Sequence, residues 1–179
     1  GMLASGEGTT VQAIAEWCRS GRIPQTSIEL VIASRSEAKV VGRATTLGIP
    51  CLIIGASEFP STEARDAAIA SGLSKHKVNL VVLAGYLSKI GPETLDRFRG
   101  QVINVHPALL PNFGGKGMFG RRVHQAVLEA GETYTGVTVH FADEEYDHGP
   151  IIAQVKVPVL QGDDVEALAA RVRKMEHEL

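Results

Sequence analysis

Short apolar runs alternate along most of this chain with segments whose apolar residues recur every three or four positions. No other feature limits the possible folds as strongly, because strand and helix periods bury different faces and cannot be exchanged. Residues 2–4 form a very short apolar run. The segment 10–20 then carries Val11, Ile14, Ala15 and Cys18 at helical spacing. Further helices are expected at 37–47, 62–75 and 92–98, and strands at 28–33, 51–54, 79–84 and 102–105. Gly48 closes the 37–47 helix and Pro92 opens the next, each in the position it favours. The 79–84 run is rich in Leu and Val, as a central parallel strand should be.

The second half changes style. Residues 107–120 hold four glycines and two prolines and read as a long loop. Such a loop within a compact domain is often functional. A helix is expected at 122–130. The alternating run 135–141 and its partner 151–157 suggest an antiparallel pair, and 163–179 reads as an amphipathic helix opened by a capping Asp. The class expected is α/β: an open, mostly parallel, twisted sheet with helices on both faces and antiparallel strands toward the C-terminal half. A chain of 179 residues suits a single domain. Ligands in such sheets bind beyond the C-terminal ends of the strands.

Composition removes several alternatives. A net charge of −2 without a dense basic face argues against nucleic acid as a partner. No run reaches the ~20 apolar residues of a membrane helix. Gly1 ahead of Met2 reads as a tag remnant, and residues 1–5 lack a basic start and a long apolar segment, so no secretory signal is expected. Cys18 and Cys51 read as buried free thiols, which suits a reducing cytoplasm. No His, Cys or carboxylate spacing suggests a metal site.

Three segments carry chemistry. In 5–10, Ser-Gly-Glu-Gly-Thr-Thr joins a strand to a helix. Its glycines allow close approach, Thr9 or Thr10 can cap the helix, and free N–H groups with the helix dipole favour an anion such as phosphate. The same residues also suit an ordinary turn. Asn104 and His106 lie two apart at a strand end and so face one side, where an amide and an imidazole can both donate to a developing oxyanion. Asp147 precedes His-Gly-Pro in a turn between strands. Brought near His106, it would orient the ring and favour its charged form, for acid–base work near neutral pH. The remaining histidines, His76, His124, His148 and His177, suggest no such role.

Taken together, these segments resemble the phosphoribosylglycinamide formyltransferases, folate-dependent enzymes of purine biosynthesis. The stretches that match are 4–10, 82–87, Ile-Asn-Val-His-Pro-Ala-Leu-Leu-Pro at 103–111, Thr-Gly-Val-Thr-Val-His-Phe at 135–141, Tyr-Asp-His-Gly-Pro at 146–150 and Met-Glu-His-Glu at 175–178. The resemblance implies a Rossmann-like formyltransferase fold, with 10-formyltetrahydrofolate as co-substrate and glycinamide ribonucleotide as acceptor. It implies that Asn104, His106 and Asp147 are catalytic. Gly8, Thr9 and Thr10 would hold the substrate phosphate, and Glu176 its ribose. Leu87, Ser88, Lys89 and Ile90, with Glu144 and Tyr146, would wall the folate pocket, while Thr138 and His140 line the site. The family pattern also implies several residues before Leu3 and more beyond Leu179. The glycine-rich 114–120 segment suggests a mobile lid, in which Lys116 meets an anionic ligand.

The expectation is thus a cytoplasmic monomer or homodimer acting on small molecules. Two other readings stand beside it. One is a different folate formyltransferase or formyltetrahydrofolate hydrolase, which would be expected to add a basic C-terminal domain or an N-terminal regulatory domain to residues 1–179. The other is a non-catalytic Rossmann-like folate- or nucleotide-binding domain, which would leave Asn104, His106 and Asp147 without a task.

Overall fold

The computed structural model describes residues 1–179 and divides into two compact units, Gly1–Val102 and Ile103–Leu179. In the first unit, strands β1 (Met2–Ala4), β2 (Val31–Ala33), β3 (Cys51–Ile53) and β4 (Val81–Leu83) pair in parallel in the order β3-β2-β1-β4. All of β1 and β2 is buried, so neither shows polar alternation. The expected strands 28–33 and 79–84 shrink to three residues each. β1 offers only three residues for pairing, and the ladders beside it are as short.

Four helices follow these strands: α1 (Thr9–Arg19), α2 (Lys39–Leu47), α3 (Thr62–Lys75) and α4 (Pro92–Arg97). Val11 and Ala15 of α1 and Val40 and Ala44 of α2, each pair four apart, share one core cluster with Met2, Ala4, Val31 and Ala33. Burying each valine there contributes roughly 1.5–3 kcal/mol. Ser61 caps α3 by accepting from the Ala64 N–H at 3.0 Å. The N-cap of α4, Gly91, has no side chain to do this. The buried Asp66 carboxylate of α3 takes its place, accepting from Gly91 N–H at 3.1 Å and Glu93 N–H at 2.8 Å.

The second unit is antiparallel. β5 (Val102–His106), β6 (Tyr134–Phe141) and β7 (Ile151–Pro158) run in the order β5-β6-β7, beside α5 (Arg121–Glu129) and α6 (Val165–Glu176). Val127, Val137, Val157, Leu168 and Val172, drawn from α5, β6, β7 and α6, form its core. The α6 cap corrects the sequence expectation by one residue. Asp164 accepts from the Ala167 N–H at 2.8 Å, whereas Asp163 forms a two-point ion pair with Arg171 at 2.6 and 2.8 Å.

The parallel first half, antiparallel second half and interleaved helices are the α/β class expected. Cys18 and Cys51 are free but only half-buried, less covered than expected. No helix is long and apolar enough to cross a membrane.

Candidate active site

The ladder between β5 and β6 builds the site. Its register places Asn104 opposite His140 and His106 opposite Thr138. The β6–β7 register shifts between Val139 and His140, and such a break re-aims a side chain. His140 Nε2 lies 3.0 Å from Asn104 Nδ2, and its Nδ1 lies 2.8 Å from the Phe141 carbonyl oxygen. That oxygen only accepts, so Nδ1 carries the hydrogen and Nε2 accepts from Asn104. The second Asn104 amide hydrogen goes to Asp147 Oδ1 at 3.1 Å.

His106 is enclosed in the same way. Its Nε2 donates to the Phe113 carbonyl oxygen at 2.8 Å, and its Nδ1 lies 3.4 Å from Asp147 Oδ1. Both ring nitrogens therefore face oxygen atoms that accept. Asp147 completes the set by accepting from the Gly115 N–H at 2.9 Å through Oδ2. Phe113 and Asp147 both hold left-handed backbone, φ 57° in each. Asp tolerates this region, but a bulky aromatic rarely adopts it. Local strain of this kind clusters where a loop must present particular atoms.

The electrostatics follow from that geometry. Burial alone would push the Asp147 carboxyl up. The His106 ring, the charge on that ring and the Gly115 N–H outweigh it and hold the group well below the usual carboxylate range. Asp147 is thus a fixed anion that is only 10% exposed. His124 of α5 is also buried, and burial first, then the charges of Arg173 and His106, lowers it to about 4. Its Nδ1 has no hydrogen-bond partner. Glu176, the last residue of α6, is shifted the other way. Burial raises it, against the pull of Arg173 and His106.

The other residues implied by the resemblance fall in different surroundings. The Thr138 hydroxyl is engaged by its neighbours: it donates to the Ala108 carbonyl at 2.7 Å and accepts from Leu110 N–H and Gln154 Nε2. It therefore fixes the turn that follows His106. Glu144 and Tyr146 are exposed on the loop that carries Asp147.

In the first unit, the glycine turn departs from expectation in its cap. Neither threonine caps α1. The N-cap is Gly8, at φ 73°, without any side-chain cap bond. A Cβ on Gly8 would stand 2.6 Å from Val40 Cγ2, so both conformation and packing demand glycine. The turn is held from α2, where Val40 N–H donates to the Gly6 carbonyl at 3.1 Å and Arg43 Nε to the Glu7 carbonyl at 2.6 Å. Leu87 and Lys89 of the segment after β4 are exposed, Ser88 is half-buried and Ile90 is buried.

Sequence reasoning did not foresee the main-chain partners Phe113 and Gly115, the buried His124, or Arg43. Only Arg43 had a signal, because Lys39 and Arg43 stand four apart at the start of α2 and share a face.

A buried carboxylate held by an imidazole and an amide at a strand end gathers polar groups of the kind that can steady a charged oxygen. The chain belongs to the formyl transferase family, whose pattern matches residues 2–179. It is 40% identical over 179 residues to the chloroplastic phosphoribosylglycinamide formyltransferase of Arabidopsis thaliana, covering 99% of this chain and 61% of that protein. Against the phosphoribosylglycinamide formyltransferase of Haemophilus influenzae it is 38% identical over 178 residues, covering 99% of this chain and 81% of the relative. Among solved structures, glycinamide ribonucleotide transformylase 1 from Symbiobacterium toebii superimposes with a TM-score of 0.93 at 41% identity, over 100% of this chain and 82% of that one.

Proposed function

We propose that this chain transfers a formyl group from 10-formyltetrahydrofolate to the amine of glycinamide ribonucleotide, with residues 1–179 acting as a single formyltransferase domain. The observation that carries this reading is the interlock of Asn104, His106, His140 and Asp147 around one fixed carboxylate. The names of the similar proteins supply the acceptor and the group transferred, and the family resemblance supplies the folate donor.

In this reading the amine nitrogen bonds to the formyl carbon, and the bond from that carbon to the folate nitrogen breaks. The carbonyl oxygen carries negative charge in between. The amine loses one proton and the folate nitrogen gains one. Asn104 Nδ2 and the His106 ring are the donors for the transient oxyanion. Both donate within the protein in this structure, Asn104 to His140 and Asp147, and His106 to Phe113. Substrate binding therefore exchanges an internal bond for one to the reacting oxygen. For His106 this means withdrawal of the loop around Phe113, which gives the glycine-rich 114–120 segment its lid role. Asp147 holds His106 in place and balances its charge throughout.

The uncapped start of α1 at Gly8, Thr9 and Thr10 is the phosphate site, with Arg43 steadying the turn. Glu176 receives the ribose hydroxyls. Leu87, Ser88, Lys89, Ile90, Glu144 and Tyr146 wall the folate, and Thr138 and His140 support the site from β6. The enzyme works in the cytoplasm as a monomer or homodimer.

The test is release of tetrahydrofolate by the purified protein with each acceptor in turn. Release that requires glycinamide ribonucleotide is the expected result. Release with methionyl-tRNA, or with water alone, assigns a different formyltransferase or a hydrolase, and no release with any acceptor leaves a binding domain.

A further inference from the structure

Ser5 follows β1 directly and opens the glycine turn, yet its hydrogen bonds lead elsewhere. It is only 2% exposed. Its N–H donates to the Gly85 carbonyl at 3.1 Å. Its hydroxyl accepts from the Leu87 N–H at 2.9 Å and from the Ser34 hydroxyl at 2.8 Å. Its carbonyl accepts from Arg35 Nε at 3.1 Å. One small buried residue thus ties the loop after β1 to the loops after β4 and β2. These strands are the adjacent parallel neighbours of β1, and the loops leave from their C-terminal ends, where ligands of parallel sheets bind.

We infer that Ser5 is a positioning residue that couples the phosphate-holding turn to the folate-facing segment 87–90, so that occupation of one loop orders the other. The inference rests on the function proposed above. The bond geometry makes the direction clear. A ligand that draws the N–H groups of Thr9 and Thr10 toward itself pulls on the turn beginning at Ser5, and Leu87 is attached to the Ser5 side chain. The coupling is reciprocal by thermodynamic necessity, so each substrate raises affinity for the other by the same factor. Ser34 supports the junction from the side, because its hydroxyl fixes the Ser5 rotamer that meets Leu87. An alanine at position 5 keeps the fold's apolar contacts but leaves the Leu87 N–H without its acceptor.

Two measurements test this. The first follows amide NMR signals as inorganic phosphate is added to the full chain. In the parent protein Thr9, Thr10 and Leu87 are expected to respond together. In Ser5→Ala the threonines still respond and Leu87 does not. Ser34→Ala, the gentler variant, weakens the Leu87 response. The second is steady-state kinetics with both substrates. Ser5→Ala is expected to raise both KM values together by roughly fivefold, the scale of one ordinary hydrogen bond. The value of kcat and its pH profile should not move, since both belong to Asn104, His106 and Asp147.

A Leu87 signal that responds undiminished in Ser5→Ala overturns the coupling. So does one that is silent in the parent while Thr9 and Thr10 respond, or a rise in only one KM. Threonine amides that ignore phosphate in the parent count instead against the phosphate-binding reading. Joint movement of the two KM values then still supports the coupling, and independent movement overturns it.

Discussion

The two units build their chemistry from different materials. In Ile103–Leu179, side chains from β5, β6 and the loop before β7 hold one another: amide to imidazole, amide to carboxylate, imidazole beside carboxylate. In Gly1–Val102, the corresponding feature is main chain, a glycine turn and an uncapped helix start steadied from α2. The contrast teaches a division of labour. In the proposed function, interlocked side chains tune charge and proton position and are expected to govern rate. In the same proposal, the uncapped backbone N–H groups at the α1 start hold a charge in place and are expected to govern affinity.

Substitutions should separate the two. The largest effect is expected from His106→Ala, which removes a donor to the oxyanion and should lower kcat by roughly 100–1000-fold. A loss confined to KM would erase the contrast. His140→Ala should be milder, a loss of about tenfold in kcat, because it removes a hydrogen bond that orients the Asn104 amide without touching the reacting atoms. Gly8→Ala should leave kcat near the parent value, raise KM for the phosphorylated substrate several-fold, and destabilise the fold by at least about 1–2 kcal/mol through its left-handed backbone, with the clash against Val40 adding to that. Thermal unfolding and substrate titration of that variant check both parts.

The effect expected to touch turnover least concerns pH. His124 is lowered in the folded protein from 6.5 to about 4. Between those values the unfolded chain binds more protons, so stability is full above 6.5 and is lost as pH falls toward 4. The slope is limited to one proton, about 1.4 kcal/mol per pH unit. His124→Gln should flatten that part of the stability–pH curve, and an unchanged curve rejects the assignment.

The same contrast explains what the sequence made legible. Strand and helix order could be read because apolar periodicity is local, and 62–75 is recovered as α3 with both ends unchanged. Asn104 and His106 were readable as a pair because side chains two apart on a strand share a face. Asp147, 43 positions beyond Asn104, was readable only as a turn residue in search of a partner, and the family resemblance supplied the pairing. The main-chain partners were not legible. Whether the Phe113 carbonyl or the Gly115 N–H points at the cluster depends on backbone torsions, which residue type barely encodes. His124 looked ordinary because helical spacing says which face is buried but not what charge lies beneath it. The misplaced caps have a local cause: adjacent candidates, Asp163 and Asp164 or Thr9 and Thr10, differ in role only once a distant partner such as Arg171 or a preceding glycine has chosen between them.

The claim on which the rest depends is that Asp147, a buried anion beside the His106 ring, sustains the proposed formyl transfer by holding that ring in place. Asp147→Asn preserves size, removes the charge and turns one accepting oxygen into a donor, so it loses one of the bonds from Asn104 or Gly115 as well. With saturating glycinamide ribonucleotide and 10-formyltetrahydrofolate, tetrahydrofolate release by this variant is expected to fall by at least about 100-fold, with both substrates still bound. Release at close to the parent rate would show that the carboxylate is structural and that the chemistry lies elsewhere.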